Sequence, residues 1–164
     1  IISFNDKVDV LCTSCLPHNL EIPNLQASGS TNFVEGVEEA YNLSEERKKW
    51  YKSHGITYLR PFLILMTDGY PTNKRSEIDQ LVLNIQDYSR RKKLVFWGVG
   101  TNEADFDTLK LLAGENGHVF NMNNNAYIEY FEWLSASLGS VSKSRSGDEV
   151  DAGPLPEGIK LKVF

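Results

Sequence analysis

The run from Phe62 to Met66 is the feature that most restricts the fold of this chain. Its five residues are all apolar, and the sequence Thr67-Asp68-Gly69 follows at once. A short apolar run without alternation indicates a strand that is buried on both faces, which is typical of a parallel sheet covered by helices. The run is also far too short to cross a bilayer. The chain is therefore expected to build a sheet around this strand.

Predicted strands and helices alternate along the rest of the chain. Ile1 to Phe4 and Val8 to Leu11 are predicted to form a hairpin, and Leu94 to Val99 and Val119 to Met122 to form further strands. A short helix is predicted in residues 104–117. Helical spacing of apolar residues predicts three longer helices. The predicted inward face of the first is formed by Phe33, Val34, Val37, Ala40 and Tyr41, and that of the second by Ile78, Leu81, Val82, Ile85 and Tyr88. The predicted inward face of the third is formed by Ile128, Phe131, Leu134, Leu138 and Val141. This alternation predicts an α/β fold with a doubly wound, mostly parallel Rossmann-like sheet flanked by helices.

Two local details extend this prediction. Asn32 and Glu35 resemble a capping box, so a helix is expected to begin at Phe33. Helical character is expected to resume through residues 44–55, and Gly55 is expected to end this second stretch. The predicted core places Leu63, Leu65, Phe96 and Val99 on the central strands, with Ile78, Leu81 and Ile85 packed over them.

Composition limits what the chain can bind. Its 164 residues suit one domain with a real core. The formal net charge of −5 argues against non-specific binding to nucleic acid or to an acidic membrane, because phosphates would be repelled. No signal peptide opens the chain, and residue 1 is Ile1, which indicates a piece of a longer polypeptide. Residues 1–143 are expected to form the domain and residues 144–164 a polar C-terminal tail.

Thr31 and Asp68 are candidate binding residues because of where they fall. Ligands of open α/β sheets bind at the carboxyl ends of the strands. Asp68 directly follows a buried strand, and Thr31 in "ASGSTNF" lies where a loop enters a helix. Taken separately, Asp68 before Gly69 is typical of a turn and Thr31 is typical of a helix N-cap. A shared binding site is the third interpretation, since both residues are expected at the same edge of the sheet.

Cys12 and Cys15 form a CxxC pair, with His18 three residues further on. A zinc site needs four ligands, and the sequence has no second cysteine pair. Redox CxxC motifs usually open a helix, whereas this pair ends a strand-like stretch. We favour two reduced thiols in a cytosolic protein, with half of a zinc site completed elsewhere as the alternative.

The sequence contains no recognisable catalytic motif. It has no GxxxxGK[ST], GxGxxG or GxSxG pattern, and Gly98 and Gly100 in "WGVGTNE" fit a turn between a strand and a helix. His18, His54 and His118 fall in a loop, at a helix end and at a strand start, and are interpreted as surface or structural residues. An enzyme on this scaffold is therefore the less favoured class of function.

Four segments in order resemble the von Willebrand factor A (vWA) domain. They are "ISFNDKVDVL", "SGSTNFVEGVEEA", "PFLILMTDGYPT" and "LVFWGVGTNEADFDTLKLLA". The closing segment "YFEWLSASLGSVSKSRSG" is similar to the bacterial TerY-type branch, which is associated with tellurite and stress resistance. The resemblance covers nearly the whole chain and implies a protein-interaction module.

By this resemblance, the domain carries a metal-ion-dependent adhesion site in which Thr31 and Asp68 are ligands of Mg²⁺ or Mn²⁺. Hydroxyl, carboxylate and water oxygens suit such a hard cation. An Asp or Glu of a protein partner would complete the coordination. The implied contact rim consists of Ser28, Ser30, Asn32, Tyr70 and Thr72. The implied partner is a kinase-like protein or a metal-dependent phosphatase, and the implied location is the cytoplasm.

The resemblance also implies that part of the family's fold lies outside this chain. The family has its first strand, a DxSxS metal loop and its first helix before the point that corresponds to Ile1. That strand belongs between Ile1 to Phe4 and Phe62 to Met66, so these two strands are expected to face each other across a gap. With only Thr31 and Asp68 present, the 164-residue chain is expected to bind little or no metal. A structural interaction subunit whose metal site has been lost is the alternative function.

Overall fold

The computed structural model describes residues 1–13, 29–101, 103–123, 126–143 and 153–162. Its elements are, in order, β1 (Ile2–Phe4), β2 (Val8–Val10), α1 (Phe33–Ser53), β3 (Phe62–Thr67), α2 (Arg75–Arg90), β4 (Val95–Gly100), α3 (Phe106–Ala113), β5 (His118–Met122), α4 (Tyr127–Lys143) and β6 (Ile159–Leu161). A turn of 3-10 helix, Gly114–Asn116, links α3 to β5. Within the described residues, no helix combines the length and the apolar character that crossing a membrane requires.

The described strands form two separate sheets. β1 and β2 make an antiparallel hairpin, as predicted. The larger sheet has the order β3-β4-β5-β6, in which β3, β4 and β5 are parallel and β6 is antiparallel to β5. Every residue of β4 is buried, because β4 has a neighbour on each side and helices on both faces. The mostly parallel, helix-flanked sheet that the sequence predicts is therefore confirmed.

Two apolar clusters fill the space between the larger sheet and its helices. Helices α1, α2 and α3 lie on one face, where Leu65 and Phe96 meet Ile78, Leu81 and Ile85 as predicted. Helix α4 lies on the other face, where Trp97, Val99 and Phe120 meet Tyr130 and Leu134. Val99 is thus buried, but against α4 and not against α2, since successive residues of a strand point to opposite faces. Leu63 is only partly buried.

The inward face of α4 differs from the prediction. Ile128 and Phe131, predicted to point inward, are 72% and 50% exposed. Leu134 is buried and Leu138 packs against the same cluster, as predicted. Tyr130, which was not predicted to point inward, is also buried, and its ring centroid lies 6.0 Å from that of Phe120. The predicted residues and the buried residues both have helical spacing. The sequence pattern alone is therefore consistent with either of two faces of α4 pointing toward the sheet. The larger aromatic contacts available to Tyr130 decide between them.

Helix α1 is one continuous helix of 21 residues, where the sequence predicted two stretches. Asn32 is its N-cap residue, but the Asn32 side chain makes no capping hydrogen bond. The Asn32 amide instead donates to Glu35 Oε2 at 2.8 Å. The predicted start of the helix is therefore right and the predicted capping box is wrong. Gly55 follows the helix with a φ of 66°, a conformation that favours glycine and suits the predicted stop.

Two further predictions need correction. Part of the predicted polar tail forms β6, whose Ile159 is buried and packs in the cluster beneath α4. Residues 144–152 and 163–164 of the predicted tail lie outside the described residues. Gly98 and Gly100 lie within β4 and not in the turn after it. A Cβ atom on Gly100 would lie 2.7 Å from Ala104 Cβ and 2.8 Å from Phe106 Cε1, so glycine is needed for close packing of α3.

A gap separates β1 from β3, as expected from the resemblance of the sequence to the family. It forms a cavity of about 770 Å³, bounded by Ile2 and Phe4 of β1, by Val37 and Ala40 of α1, and by residues 62–65 of β3. We call this cavity the inter-sheet gap. Its presence leaves β3 half-buried at every position except Leu65, although β3 has the most apolar strand sequence of the chain.

Candidate functional site

Thr31 and the turn after β3 lie side by side at the carboxyl edge of the sheet. A Cβ atom placed on Gly69 would lie 3.8 Å from Thr31 Oγ1. The backbone N–H of Thr72 donates to the Thr31 carbonyl at 3.1 Å. Asp68, one residue before Gly69, is exposed at the same edge. The structure therefore brings together the two residues that the sequence singled out.

The chain folds this way because β3 ends in a polar turn. The Gly69 N–H lies 3.4 Å from Thr67 Oγ1, which turns the backbone directly after the last strand residue. That turn leaves the Asp68 carboxylate in solvent instead of carrying it into the apolar cluster. The side chain is thus available to a ligand.

Asp6, which is not among the candidate residues predicted from the sequence, anchors the loop in front of Thr31. Its Oδ1 accepts from the Ser30 backbone N–H at 3.0 Å and from the Ser30 hydroxyl. These two hydrogen bonds hold the pKa of Asp6 below its ordinary value of 3.8, because they favour the ionised carboxyl. In the sequence, Asp6 is indistinguishable from an ordinary hairpin-turn residue, so no local signal identifies this role.

Asn73, which is also not among the predicted candidate residues, forms a second anchor. Its Nδ2 donates to Asn32 Oδ1 at 2.6 Å, and its Oδ1 accepts from the Val34 N–H at 3.4 Å. Both bonds connect the loop after β3 to the first turn of α1. The two loops that carry Asp68 and Thr31 are therefore held together by side chains as well as by the backbone.

The segments that build this edge lie within a match to a known family. The von Willebrand factor type A domain family matches residues 18–132, which is well over half of the chain. The chain belongs to this family. Comparisons with curated proteins and with solved structures gave no match. The match to the family ends inside α4, before most of the closing segment that resembles the TerY-type branch, so that branch stays a prediction.

The predicted contact rim of this A domain is only partly available to a partner. Tyr70 and Thr72 are exposed beside Asp68. The side chains of Ser30 and Asn32 are half-buried and already bonded, to Asp6 and to Glu35 and Asn73 respectively. Ser28 lies outside the described residues. Ser30 and Asn32 thus act in the structure as supports for the loops.

The metal-ligand set in this A domain is small. Among the described residues, no group of three or more His, Cys, Asp or Glu side chains is placed to hold a metal ion. The Thr31 hydroxyl and the Asp68 carboxylate are the kind of oxygen donors that Mg²⁺ prefers. The residues present fit the cation in chemical type, and further oxygen ligands are needed for a tight site.

The remaining candidate residues of the A domain lie elsewhere. Cys12 Sγ donates to the Thr13 carbonyl at 3.0 Å at the end of the hairpin. Cys15 and His18 lie outside the described residues, so the interpretation of the CxxC pair stays a prediction. His54 Nδ1 lies 2.8 Å from the Trp50 carbonyl at the end of α1, and His118 begins β5. Both histidines are therefore at the edge of the sheet opposite to Asp68.

Proposed function

We propose that this A domain is a protein-interaction module that binds its partner through Mg²⁺ or Mn²⁺ at the carboxyl edge of the sheet. The observation that carries the proposal is the position of the Thr31 hydroxyl next to the Asp68-Gly69 turn. A hydroxyl beside a turn that carries an exposed carboxylate, at the edge where α/β sheets bind ligands, would provide part of a site for a hard cation.

Each residue at the edge has a role in the proposal. Thr31 and Asp68 supply oxygen ligands, and a segment outside the described residues supplies the others. A carboxylate of the partner completes the coordination of the cation, and Tyr70 and Thr72 contact the partner around it. The Asp6–Ser30 hydrogen bonds hold the Thr31 loop in place. Because these bonds are made within the chain itself, they preorganise the loop that carries Thr31.

The class of partner rests on the closing segment of the sequence. Its similarity to the TerY-type branch supports a bacterial protein of stress or tellurite-resistance signalling, with a kinase-like protein or a phosphatase as the partner. The net charge of −5 argues against nucleic acid and acidic membranes as partners. A cytoplasmic location and a non-enzymatic role belong to the same proposal.

One observation favours a second candidate function. In the part of the chain that the structure describes, no three His, Cys, Asp or Glu side chains are placed together so that they could hold a metal ion. A structural subunit that has lost its metal site would look the same in this part of the chain. Such a subunit would hold its partner through apolar and polar contacts, and removing divalent cations would not affect it.

A pull-down with and without EDTA distinguishes the two functions. The bait is the complete domain, in wild-type, Asp68→Ala and Asp79→Ala forms. Asp79 is a matched control because its exposed carboxylate lies on α2 and pairs with Arg75 at 2.9 Å. We expect EDTA and Asp68→Ala to release the same partner, and Asp79→Ala to retain it. Identical captured proteins in all lanes would contradict the metal-bridged function and favour the structural subunit.

A further inference from the structure

We propose that the amino edge of the larger sheet carries a second docking surface, which binds a short acidic segment of a protein partner. The surface consists of Lys49, Lys52, Arg60 and Lys92, and we call it the basic edge. It lies at the opposite edge of the sheet from Asp68 and uses no metal. Its test can therefore fail or succeed independently of the proposed function.

Positive charge is concentrated in two short segments of the chain. Residues 47–60 and 90–93 contain nine of the 17 Lys and Arg residues and no Asp or Glu. All other positions together hold eight basic and 22 acidic side chains, so their formal net charge is −14. A surface that gathers the two segments is therefore basic on an otherwise acidic protein.

Contacts between α1, the turn after α2 and the start of β3 bring the two segments together. Lys48 Nζ donates to the Lys93 carbonyl at 2.6 Å, which joins the end of α1 to the turn after α2. The Val95 N–H donates to the Pro61 carbonyl at 2.9 Å, so the pairing of β3 with β4 extends by one residue and sets Arg60 beside the same turn. The two basic segments therefore lie next to each other at the amino edge.

Lys52 and Lys49 extend this surface along α1. Lys52 follows Lys48 by four residues, so it lies one turn further along the side of α1 that contacts the turn after α2. Lys49 precedes Lys52 by three residues and is therefore its neighbour on the helix surface. Both side chains are exposed.

The four cations of the basic edge are exposed and form no ion pair with any residue that the structure describes. The ion pairs found there use other cations. Beside the basic edge, Glu45 pairs with Lys48, and Asp87 pairs with Arg90 and Arg91. Like charges that are brought together repel one another, and carboxylates of a partner would relieve this repulsion.

Lys92 has a backbone conformation that favours glycine. Its φ is 56°, the only positive φ of a non-glycine residue in the part of the chain that the structure describes. The Lys92 N–H donates to the Ser89 carbonyl and the Lys93 N–H to the Tyr88 carbonyl, both at 2.9 Å, which is the Schellman arrangement at the end of α2. Glycine usually occupies this position, because a side chain there is strained. The turn thus does not require lysine, whereas the basic edge uses its charge.

The ends of the helices account for only part of this positive charge. Cations in the last turn of a helix complement its negative pole, as Lys52 does in α1 and Arg90 in α2. Arg60 lies outside both helices, just before β3. Lys92 follows α2 at the strained position. These two cations therefore need another explanation, which a bound anion provides.

The charge around the basic edge determines the class of partner. Glu45 and Asp87 border it, and the rest of the molecule is acidic. A long polyanion such as nucleic acid would extend past the four cations into these acidic surroundings and would be repelled. A short segment with about four Asp or Glu side chains matches the cations in number and stays within their reach.

Binding of an acidic peptide tests the proposal. The probe is a capped peptide of about seven residues in which Glu and Ser alternate, and the control peptide has Gln in place of each Glu. Both are titrated into the isotope-labelled 164-residue chain in EDTA, which excludes binding through a metal at Asp68. We expect the amide NMR signals of Lys52, Arg60 and Lys92 to shift with the Glu peptide only. Equal binding of both peptides, or shifts confined to the Asp68 edge, would overturn the proposal.

The salt dependence of binding provides a second readout. The affinity for the Glu peptide should fall at least about threefold between about 50 and 200 mM salt, because the charges of the basic edge are exposed and become screened. An affinity that does not change with salt would contradict an electrostatic docking surface.

Two double variants test the location of the surface. Lys49→Glu with Lys52→Glu should weaken binding of the Glu peptide at least about tenfold, because two exposed charges are reversed. Lys7→Glu with Lys160→Glu changes the net charge equally, at exposed positions of the hairpin and of β6, and should bind like the wild type. Circular dichroism verifies that each variant folds. Equal weakening by both double variants would show that net charge alone matters and would overturn the proposal.

Lys92→Gly separates the charge of Lys92 from its backbone conformation. Because glycine suits the left-handed conformation, this variant should unfold at a temperature higher by about 2–4 °C. It also removes one cation and should weaken binding of the Glu peptide about threefold. A more stable variant that binds the peptide as tightly as the wild type would overturn the place of Lys92 in the basic edge.

Nucleic acid is the remaining class of anion. If a single-stranded oligonucleotide of about seven nucleotides binds more tightly than the Glu peptide at the same salt concentration, the occupant is nucleic acid and the proposed partner is wrong. Tighter binding of the Glu peptide would support an acidic protein segment.

Discussion

The backbone N–H of Thr72 donates to the carbonyl oxygen of Thr31 at 3.1 Å. This bond joins the loop after β3 to the loop before α1, so that the Asp68 turn and the Thr31 hydroxyl share one edge of the sheet. The Asp6–Ser30 and Asn73–Asn32 contacts support the same junction. The candidate site thus depends on contacts between loops, each of which can be tested separately.

Asp68→Ala should weaken the binding of Mg²⁺ to the complete domain at least about tenfold, because one charged oxygen ligand is lost. The fold should be unchanged, since Asp68 is exposed. Calorimetric titration of both proteins measures the affinities, with Asp79→Ala as the control. Equal affinities in wild type and Asp68→Ala would show that Asp68 is not a ligand.

Leu65→Ala should lower the free energy of unfolding by about 2–5 kcal/mol, through lost burial and a residual cavity. Leu65 is 3% exposed between β4 and the helices of its face. Leu83→Ala is the matched control, because Leu83 is 60% exposed on α2 and should change stability by less than about 0.5 kcal/mol. Denaturant melts provide both values. A change at Leu65 as small as that at Leu83 would refute its core position.

Gly100→Ala should destabilise the protein by about 1–3 kcal/mol, because the added methyl group overpacks the junction of β4 with Ala104 and Phe106. Gly139→Ala, at a glycine inside α4, should change the stability in the opposite direction. Apart from its chain neighbours and the backbone of α4 itself, nothing lies within 4 Å of a Cβ on Gly139, so alanine there should stabilise α4 by about 0.5–1 kcal/mol. Thermal melts of the two variants should therefore shift in opposite directions. A shift in the same direction would contradict the packing described at Gly100.

The Asp6–Ser30 anchor should weaken in acid. Folding lowers the pKa of Asp6 below 3.8, so these hydrogen bonds stabilise the loop at pH values above 3.8. Their contribution is lost as the pH falls through the lowered pKa. An NMR titration of the Ser30 amide should show a midpoint below 3.8, and Asp6→Asn should abolish that response. A midpoint at or above 3.8 would show that Ser30 does not favour the ionised carboxyl.

The sequence by itself determined the alternation of elements and the edge at which the candidate residues lie. The apolar run of β3 indicated a buried strand of a parallel sheet, and the polar turn after it placed Asp68 at the carboxyl end. These features are local, because residue type and spacing over a few positions decide them. The gap beside β3 was also expected from the sequence, through its resemblance to the family.

Only the tertiary structure decided which contacts these elements make. The apolar residues of α4 fit two helical faces, and packing against Phe120 selected Tyr130 over Phe131. β6 is three residues long, too short for a periodic pattern, and exists because β5 offers it an edge. The Asp6–Ser30 and Asn73–Asn32 bonds join residues that are distant in the chain. Local propensity carries no information about such partners, since their proximity arises only when the sheet and its helices have packed.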